Sequence, residues 1–161
     1  IPLYYAHKNT GRPLKEGKWF EKFRSNYLDV DNDALYPFGY GLSYTTFRFS
    51  DITLNRSSIG MDNELIASVT VTNTGDRAGS EVVQLYIRDL VGSVTRPVKE
   101  LKGFEKIYLQ PNESRTVRFT IAPEMLKFYN ADLKFVAEPG DFDVMIGPDS
   151  RNVKTARFTL R

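Results

Sequence analysis

The sequence predicts a mainly β fold, an antiparallel β-sandwich preceded by a largely irregular N-terminal segment that is rich in aromatic residues. Two observations predict the sandwich. Apolar and polar residues alternate with a period of two along most of the chain after Tyr44, and turn-forming residues separate the alternating runs. A third observation sets the first 44 residues apart, because they show neither the period of a strand nor that of a helix.

The first half of the sandwich is predicted by apolar side chains at every second position, whose polar neighbours face the other side of each strand. These apolar residues are Phe47, Phe49, Ile52, Leu54, Leu65, Ala67, Val69, Val71, Val83, Leu85 and Ile87. The turn Asn73-Thr74-Gly75-Asp76 precedes the last of these runs, in which Gln84, Tyr86 and Arg88 take the alternate positions. The pattern therefore predicts that these three side chains point away from the core.

The second half follows the same logic, with one short interruption. The predicted elements are a strand over residues 101–109, the turn Pro111-Asn112, a strand through Val117, Phe119 and Ile121, a short helical or irregular piece over 123–126, strands near 127–129 and 134–136, the turn Pro139-Gly140, a strand through Phe142, Val144 and Ile146, and a last strand over 153–160. Seven or eight short strands with this spacing of turns are typical of a two-sheet sandwich.

The cysteine and tryptophan content indicates which type of sandwich the chain forms. The chain has no cysteine, and Trp19, its one tryptophan, lies outside the predicted strands. The Cys…Trp…Cys arrangement of antibody domains is therefore missing, and a fibronectin III-like sandwich fits better. Before residue 44, a short helical turn over residues 19–24 is the most that the pattern supports.

Composition and charge exclude several classes of function. The chain is 41% hydrophobic and 26% charged, as in globular proteins, and its net charge is +2 with a pI near 8.8. Because the basic residues are interspersed with acidic ones, no nucleic-acid partner is expected. No apolar run approaches the length of a membrane helix, so no membrane partner is expected either. The first residue is Ile1 and not Met, which predicts that a longer protein precedes it.

Three aspartates form the only pattern that suggests a metal. Asp29, Asp31 and Asp33 alternate as in calcium loops, whose cation needs several oxygens at close range. The glycine position of such a loop holds Ala34, however, and the bidentate glutamate position holds Tyr40. Asx turns explain the cluster better, and we predict neither a metal nor a cofactor.

Catalytic residues are not assigned to any position. Glycoside hydrolysis needs a converging pair of carboxyl groups, but the acidic residues lie mostly in turns and on polar strand faces, where we expect solvated charges. Examples are Glu81, Glu113, Asp141 and Asp143. His7 has no nucleophile or orienting acid at a telling spacing, so we expect a loop histidine hydrogen-bonded to the backbone. Gly39 and Gly41 precede no strand-to-helix switch and therefore do not form a phosphate loop.

An aromatic run spans residues 36–49. Its members are Tyr36, Phe38, Tyr40, Tyr44, Phe47 and Phe49. Such rings stack on sugars when exposed, which would make a carbohydrate platform, or they pack against a neighbouring domain. Pro37 and two glycines shape a tight path through the run, and this favours packing against a neighbouring domain.

Seven stretches of the chain are distinctive when taken together. They are Ile-Pro-Leu-Tyr-Tyr (1–5), His-Lys-Asn-Thr-Gly-Arg-Pro (7–13), Leu-Tyr-Pro-Phe-Gly-Tyr-Gly-Leu-Ser-Tyr-Thr-Thr-Phe (35–47), Val-Thr-Asn-Thr-Gly (71–75), Val-Val-Gln-Leu-Tyr (82–86), Arg-Pro-Val-Lys-Glu-Leu-Lys-Gly-Phe-Glu-Lys (96–106) and Glu-Pro-Gly-Asp-Phe-Asp-Val-Met-Ile-Gly (138–147). The stretch 35–47 is the most specific of these. In this order they resemble the C-terminal region of family 3 glycoside hydrolases, most of all the bacterial periplasmic β-glucosidases, and the resemblance covers essentially the whole chain.

The resemblance implies a retaining β-glucosidase, periplasmic or secreted, that cleaves β-linked glucosides or oligosaccharides. Its nucleophilic aspartate would lie in a TIM-like barrel and its acid/base glutamate in an α/β sandwich domain, both before Ile1. Residues 1–44 would then be the closing tail of that α/β domain together with an interdomain strap, and residues 45–161 the fibronectin III-like domain. No position matches either catalytic motif. A carbohydrate-binding module and a cell-surface interaction module remain the alternatives.

Overall fold

The protein is a two-layer β-sandwich in a computed structural model, which describes residues 4–15, 17–18 and 20–161. The strands are β1 (Phe47–Phe49), β2 (Thr53–Leu54), β3 (Ser58–Ile59), β4 (Leu65–Asn73), β5 (Gly79–Asp89), β6 (Glu100–Leu109), β7 (Ser114–Ile121), β8 (Phe128–Tyr129), β9 (Phe135–Val136), β10 (Gly140–Gly147) and β11 (Lys154–Leu160). One 3-10 helix, Pro123–Leu126, follows β7. The predicted fold class and the predicted interruption at 123–126 are confirmed.

The smaller sheet is built around β4. Both β1 and β2 pair antiparallel with one edge of β4, and β7 pairs with the other edge from Leu65↔Ile121 to Thr72↔Ser114. Alternation along β4 is strict: the odd-numbered residues Leu65 to Asn73 are buried, and none of the intervening ones is. This strand therefore has one face in the core and one face toward solvent.

The larger sheet has the order β3-β11-β10-β5-β6, and β8 and β9 form a separate small hairpin. All neighbours in the larger sheet are antiparallel except β3, which runs parallel to β11 through Thr159↔Ser58 and Leu160↔Ile59. The sequence analysis did not predict β3, because a two-residue edge strand is too short to show a period.

The core lies between the two sheets. It contains the predicted inward-facing residues of β4, β5, β7 and β10, except that Phe119 is only partly buried and packs against it. The Phe142 and Phe158 rings stack inside the core at 5.4 Å. Burial of a side chain such as Leu, Ile, Val or Phe contributes roughly 1.5–3 kcal/mol, so this core is the main source of the sandwich's stability.

The outer face of β5 is covered by another part of the chain. Gln84 and Tyr86 occupy the outer face of β5, as their alternation indicates, but they are buried, with exposed fractions of 4% and 0%. The cause is the N-terminal segment, which covers this face of the larger sheet. The described part of residues 4–44 has no strand or helix of its own beyond a bridge between Lys8 and Pro97.

Two parts of the sequence predictions lie outside the described residues: Trp19, in the predicted helical turn over 19–24, and residues 1–3, in the first matching stretch. Within the described part, no helix has the length and apolar character needed to cross a membrane.

Candidate functional site

The segment with the most specific motif, residues 35–47, is fixed to the outer face of the larger sheet; we call it the strap. The Ser150 amide donates a hydrogen bond to the Phe38 carbonyl at 2.9 Å. The Gln84 side-chain amide donates to the Gly39 carbonyl at 3.2 Å, and the Arg151 guanidinium donates to the carbonyl of Ala34 just before the strap. These three hydrogen bonds go to backbone carbonyls, so they do not depend on the side chains of the strap.

Gly39 is required by this arrangement. Its φ is +81°, which side-chain-bearing residues rarely adopt, and a Cβ at this position would lie 2.1 Å from Gln84 Oε1. The Phe-Gly-Tyr-Gly motif therefore serves close approach between the strap and β5. The sequence analysis excluded a phosphate loop here but did not identify this role.

A buried polar pair on β5 receives the strap. The Tyr86 hydroxyl donates to Gln84 Oε1 at 2.5 Å, and the Gln84 amide also donates to the Pro148 carbonyl. Burial, and then proximity to Tyr5, raises the pKa of Tyr86, so this hydroxyl keeps its proton and acts as a donor. The Tyr86 hydroxyl thus orients the Gln84 side chain, whose amide nitrogen bonds to the strap and to the loop after β10.

Tyr5 completes the contact from the start of the chain. Its ring stacks on Phe38 at a centroid distance of 4.3 Å and meets the Tyr86 ring edge-on at 5.7 Å. Such pairs contribute about 0.5–1.5 kcal/mol beyond their buried area. The three rings connect the first residues, the strap and β5.

The loop after β10 also holds the strap, because it contains Ser150 and Arg151. Asp149 is 4% exposed, and its Oδ1 accepts hydrogen bonds from the amides of Arg151 and Asn152 at 2.8 Å, while Oδ2 accepts from Asn152 Nδ2 at 2.8 Å. Burial raises the pKa of Asp149, but the hydrogen bonds from Asn152 and Arg151 outweigh it and lower the pKa overall. The loop that holds Phe38 is therefore internally rigid.

The strap and its surroundings expose much apolar surface. Eleven of the nineteen large hydrophobic side chains that are exposed among the described residues lie in the first 44 positions. They are Tyr4, Phe20, Phe23, Leu28, Val30, Leu35, Tyr36, Phe38, Tyr40, Leu42 and Tyr44. Many exposed apolar side chains in one segment indicate an interaction site. A firmly held segment with uncovered aromatic side chains is the candidate site.

A cavity of about 800 Å³ lies between residues 4–14, the strap and the loops at 98–99 and 150–151. Three of its polar side chains have partners within the chain. Lys99 donates to the Ser150 carbonyl at 2.5 Å, Asn32 to the Ser25 carbonyl at 2.7 Å, and Asp33 faces Arg151 at 3.9 Å. These contacts connect the loops that surround the cavity.

The aspartate cluster forms a turn. The Asp33 amide donates to Asp31 Oδ1 at 3.1 Å, which confirms the predicted Asx turn. Asp29, Asp31 and Asp33 are all exposed, and the described part of the chain contains no group of acidic, histidine or cysteine side chains that could hold a metal ion. His7 Nδ1 lies 3.1 Å from the Lys8 carbonyl, as expected for a loop histidine bonded to the backbone.

All four carboxylates singled out in the sequence make local contacts. Asp143 pairs with Arg157 at 2.8 Å, Asp141 accepts from Thr159 at 2.7 Å, and Glu113 accepts from the Gln110 amide at 2.7 Å. Glu81 departs from the expected solvated charge. It is half-buried, and burial, opposed by a hydrogen bond from Val82 and reinforced by the charge of Asp149, raises its pKa. The structure does not bring these four together as a catalytic pair.

A family model described as a fibronectin type III-like domain matches residues 81–150. Among curated relatives, a periplasmic β-glucosidase of Salmonella typhimurium is 54% identical over 160 residues, which are 99% of this chain and 21% of that protein. A putative β-xylosidase of Formosa agariphila is 46% identical over 161 residues, 100% of this chain and 20% of that protein. The chain therefore spans about a fifth of the length of these relatives.

Solved structures of β-glucosidases also match this chain, again over about a fifth of their own length. The β-glucosidase of Listeria innocua in complex with glucose matches with a TM-score of 0.93 and 42% identity, over 99% of this chain and 22% of that one. A β-glucosidase of Erythrobacter marinus matches all of this chain and 20% of its own with a TM-score of 0.87 and 46% identity. The matched region extends over the N-terminal segment as well as the sandwich.

Proposed function

The chain belongs to family 3 of the glycoside hydrolases, as the C-terminal region that carries a fibronectin type III-like domain, and on this premise we propose that it braces the catalytic domains of a retaining β-glucosidase. The observation that carries the proposal is the strap. It is fastened to the sandwich by Gln84, Ser150 and Arg151, yet Tyr36, Tyr40 and Tyr44 remain 67%, 45% and 92% exposed. A rigid support with an uncovered aromatic face suits a contact between domains.

The proposal divides the chain into two parts. Residues 1–44 are the tail of an α/β sandwich domain and the first part of the strap, and residues 45–161 are the fibronectin III-like domain. The apolar side chains of the first part would be covered by upstream domains of the same polypeptide. Covering them stabilises the junction at roughly 25 cal/mol per Å² of apolar surface removed from water.

Catalysis belongs to those upstream domains in this proposal. A TIM-like barrel supplies the nucleophilic carboxylate and the α/β domain the acid, and the substrate is a β-glucoside or related oligosaccharide in the periplasm or outside the cell. The contacts of the carboxylates singled out in the sequence support this, because all four accept hydrogen bonds from within the chain. Glycoside hydrolysis needs two free carboxyl groups that converge on one bond.

The direct test is hydrolysis of an aryl β-glucoside by the 161-residue chain, beside the full-length parent. We expect no turnover by the chain and turnover by the parent. Turnover by the chain itself would mean that an acidic pair has been overlooked, and Asp29, Asp31 and Asp33 would be the first to mutate. An inactive parent that cleaves no β-glycoside would overturn the assignment of the reaction.

Replacing Phe38 and Tyr40 together by alanine tests the bracing role. In the full-length parent we expect a loss of about 2–4 kcal/mol of stability, since truncation of buried aromatic side chains has large effects, together with a lower kcat/KM. In the isolated chain, where both rings are about half-exposed, the loss should be about 1 kcal/mol. Thermal unfolding of both proteins and aryl-glucoside kinetics measure these effects.

A matched control is Tyr129→Ala with Phe135→Ala, which removes another exposed ring pair, at 5.0 Å, from the β8–β9 hairpin. This control should lower the stability of the full-length parent by no more than it lowers the stability of the isolated chain. If the strap double variant altered neither the stability nor kcat/KM of the parent, the bracing role would be wrong.

A further inference from the structure

The outer face of β6 carries a second set of exposed aromatic side chains. Phe104 is 68% exposed and Tyr108 is 54% exposed, whereas the alternate residues Ile107 and Leu109 are buried in the core. The exposed Lys106 lies between the two rings on the same outward face. This is an apolar stripe on the opposite side of the strand from the core, and the core does not account for it.

Strand pairing places this stripe beside the strap. Phe104 is the partner of Gln84 on β5, and Gln84 is the residue on which Gly39 rests. Residues that pair across neighbouring strands lie on the same face of a sheet, with Cβ atoms about 5 Å apart. Phe104 therefore adjoins the strap, and Tyr108, the partner of Ser80, continues the same face away from it.

The stripe also lies at an unprotected sheet edge. In the described part of the chain β6 pairs with β5 only, so one row of its backbone groups has no neighbouring strand. Natural proteins cover such an edge or place charges along it, because an exposed hydrophobic edge recruits other strands. Lys106 is one such charge, but the two rings beside it indicate an edge that another part of the protein covers.

We propose that the interdomain surface extends from the strap onto β6, so that the upstream region of the same polypeptide covers Phe104 and Tyr108. This rests on the proposed function. Two features of the molecule favour that occupant: the stripe is continuous with the strap through Gln84, and the relatives carry most of their length outside the matched region. The covering surface is apolar, with an acidic side chain opposite Lys106.

Cysteine labelling tests this proposal, because the chain has no cysteine of its own. Phe104→Cys, Tyr44→Cys in the strap and Tyr129→Cys on the β8–β9 hairpin are each made in the full-length parent, with any other cysteines replaced by serine. Reaction with a soluble maleimide is timed in the native protein and in the same protein unfolded in urea. The same three variants of the 161-residue chain serve as uncovered references.

We expect labelling at positions 104 and 44 to be at least about tenfold slower in the native parent than in the 161-residue chain, which corresponds to about 1.4 kcal/mol of opening free energy. Labelling at position 129 should be equally fast in both. Protection at 44 without protection at 104 would overturn the extension onto β6 and leave the bracing role intact. Protection at neither would overturn both.

Two other occupants give different results. Protection at 104 that rises with the concentration of the 161-residue chain would identify a second copy as the occupant. Protection in that chain only after a soluble β-glucan is added would identify a carbohydrate platform. If a second copy or the β-glucan accounts for all of the protection at position 104 in the parent, the proposal is wrong.

Discussion

Replacing Asn73 by alanine is expected to lower the free energy of unfolding of the chain by about 3 kcal/mol, because its fully buried side chain satisfies four groups at once. Asn73 Oδ1 accepts from the Thr45 hydroxyl at 2.7 Å and from the Gly75 amide at 3.1 Å. Its Nδ2 donates to the carbonyls of Arg77 at 2.7 Å and Leu109 at 3.1 Å.

Two of the four groups, on Thr45 and Leu109, come from distant parts of the chain. The residue joins the end of β4, the following turn, the end of β6 and the last part of the strap. The Leu109 carbonyl is the most damaging to leave without its partner, since its hydrogen bond to Asn73 is buried. A buried polar group without a partner costs about 1–3 kcal/mol, whereas groups nearer the surface can bind water instead.

Urea and thermal unfolding followed by circular dichroism measure the effect, which should lower Tm by about 6–12 °C in a protein of this size. Asn73→Asp keeps the shape but turns an oxygen toward two carbonyl oxygens, and should be at least as destabilising at neutral pH. Asp76→Ala, at an exposed position of the same turn, is the control and should stay within about 0.5 kcal/mol. A loss below about 1 kcal/mol for Asn73→Ala would show that water replaces the side chain.

The sandwich could be predicted because its information is local. Alternation at every second residue places Val69 and Val144 in the core whatever the rest of the chain does, and turn residues bound each run. The two-residue strand at Ser58 and Ile59 could not be predicted this way, since its parallel partner lies about a hundred residues away and two residues carry no period.

The docking of the strap depends on contacts that no local pattern records. Gln84 and Tyr86 have the spacing of an outer face, and nothing in that spacing shows that residues 5, 38 and 39 cover them. The one available signal was Gly39 within an aromatic run, because a glycine between large side chains often marks a close approach of two backbones. The resemblance supplied the interdomain role, whereas the geometry of the fastening required the structure.

Gly147 is a position at which one added methyl group should strongly lower the stability of the chain. A Cβ built on it would lie 2.0 Å from the Asn152 carbonyl oxygen and 2.9 Å from the Val153 Cα. Both are backbone atoms, so no rotation of a flexible side chain can relieve the clash. We expect Gly147→Ala to destabilise the chain by about 3 kcal/mol, at the upper end of the usual range for overpacking.

The loop cannot simply move aside, because Asp149 fixes it internally through the amides of Arg151 and Asn152. Displacing it also pulls on the strap, since the Ser150 amide bonds to the Phe38 carbonyl and Pro148 accepts from Gln84. The variant should therefore loosen the strap more than it loosens the core. In the full-length parent the same change should lower kcat/KM if the strap braces the catalytic domains.

Gly140→Ala is the matched control at the opposite end of β10, where the nearest atom to an added Cβ is the Val91 carbonyl oxygen at 3.8 Å. It should change the stability by no more than about 0.5 kcal/mol. Urea unfolding gives the global effect, and hydrogen exchange at the Ser150 amide gives the local one. Exchange there should accelerate more in Gly147→Ala than the loss of global stability requires, because opening of the loop precedes unfolding of the core. Equal stabilities for the two variants would mean that the loop yields at no cost and that the fastening of the strap is weaker than its hydrogen bonds imply.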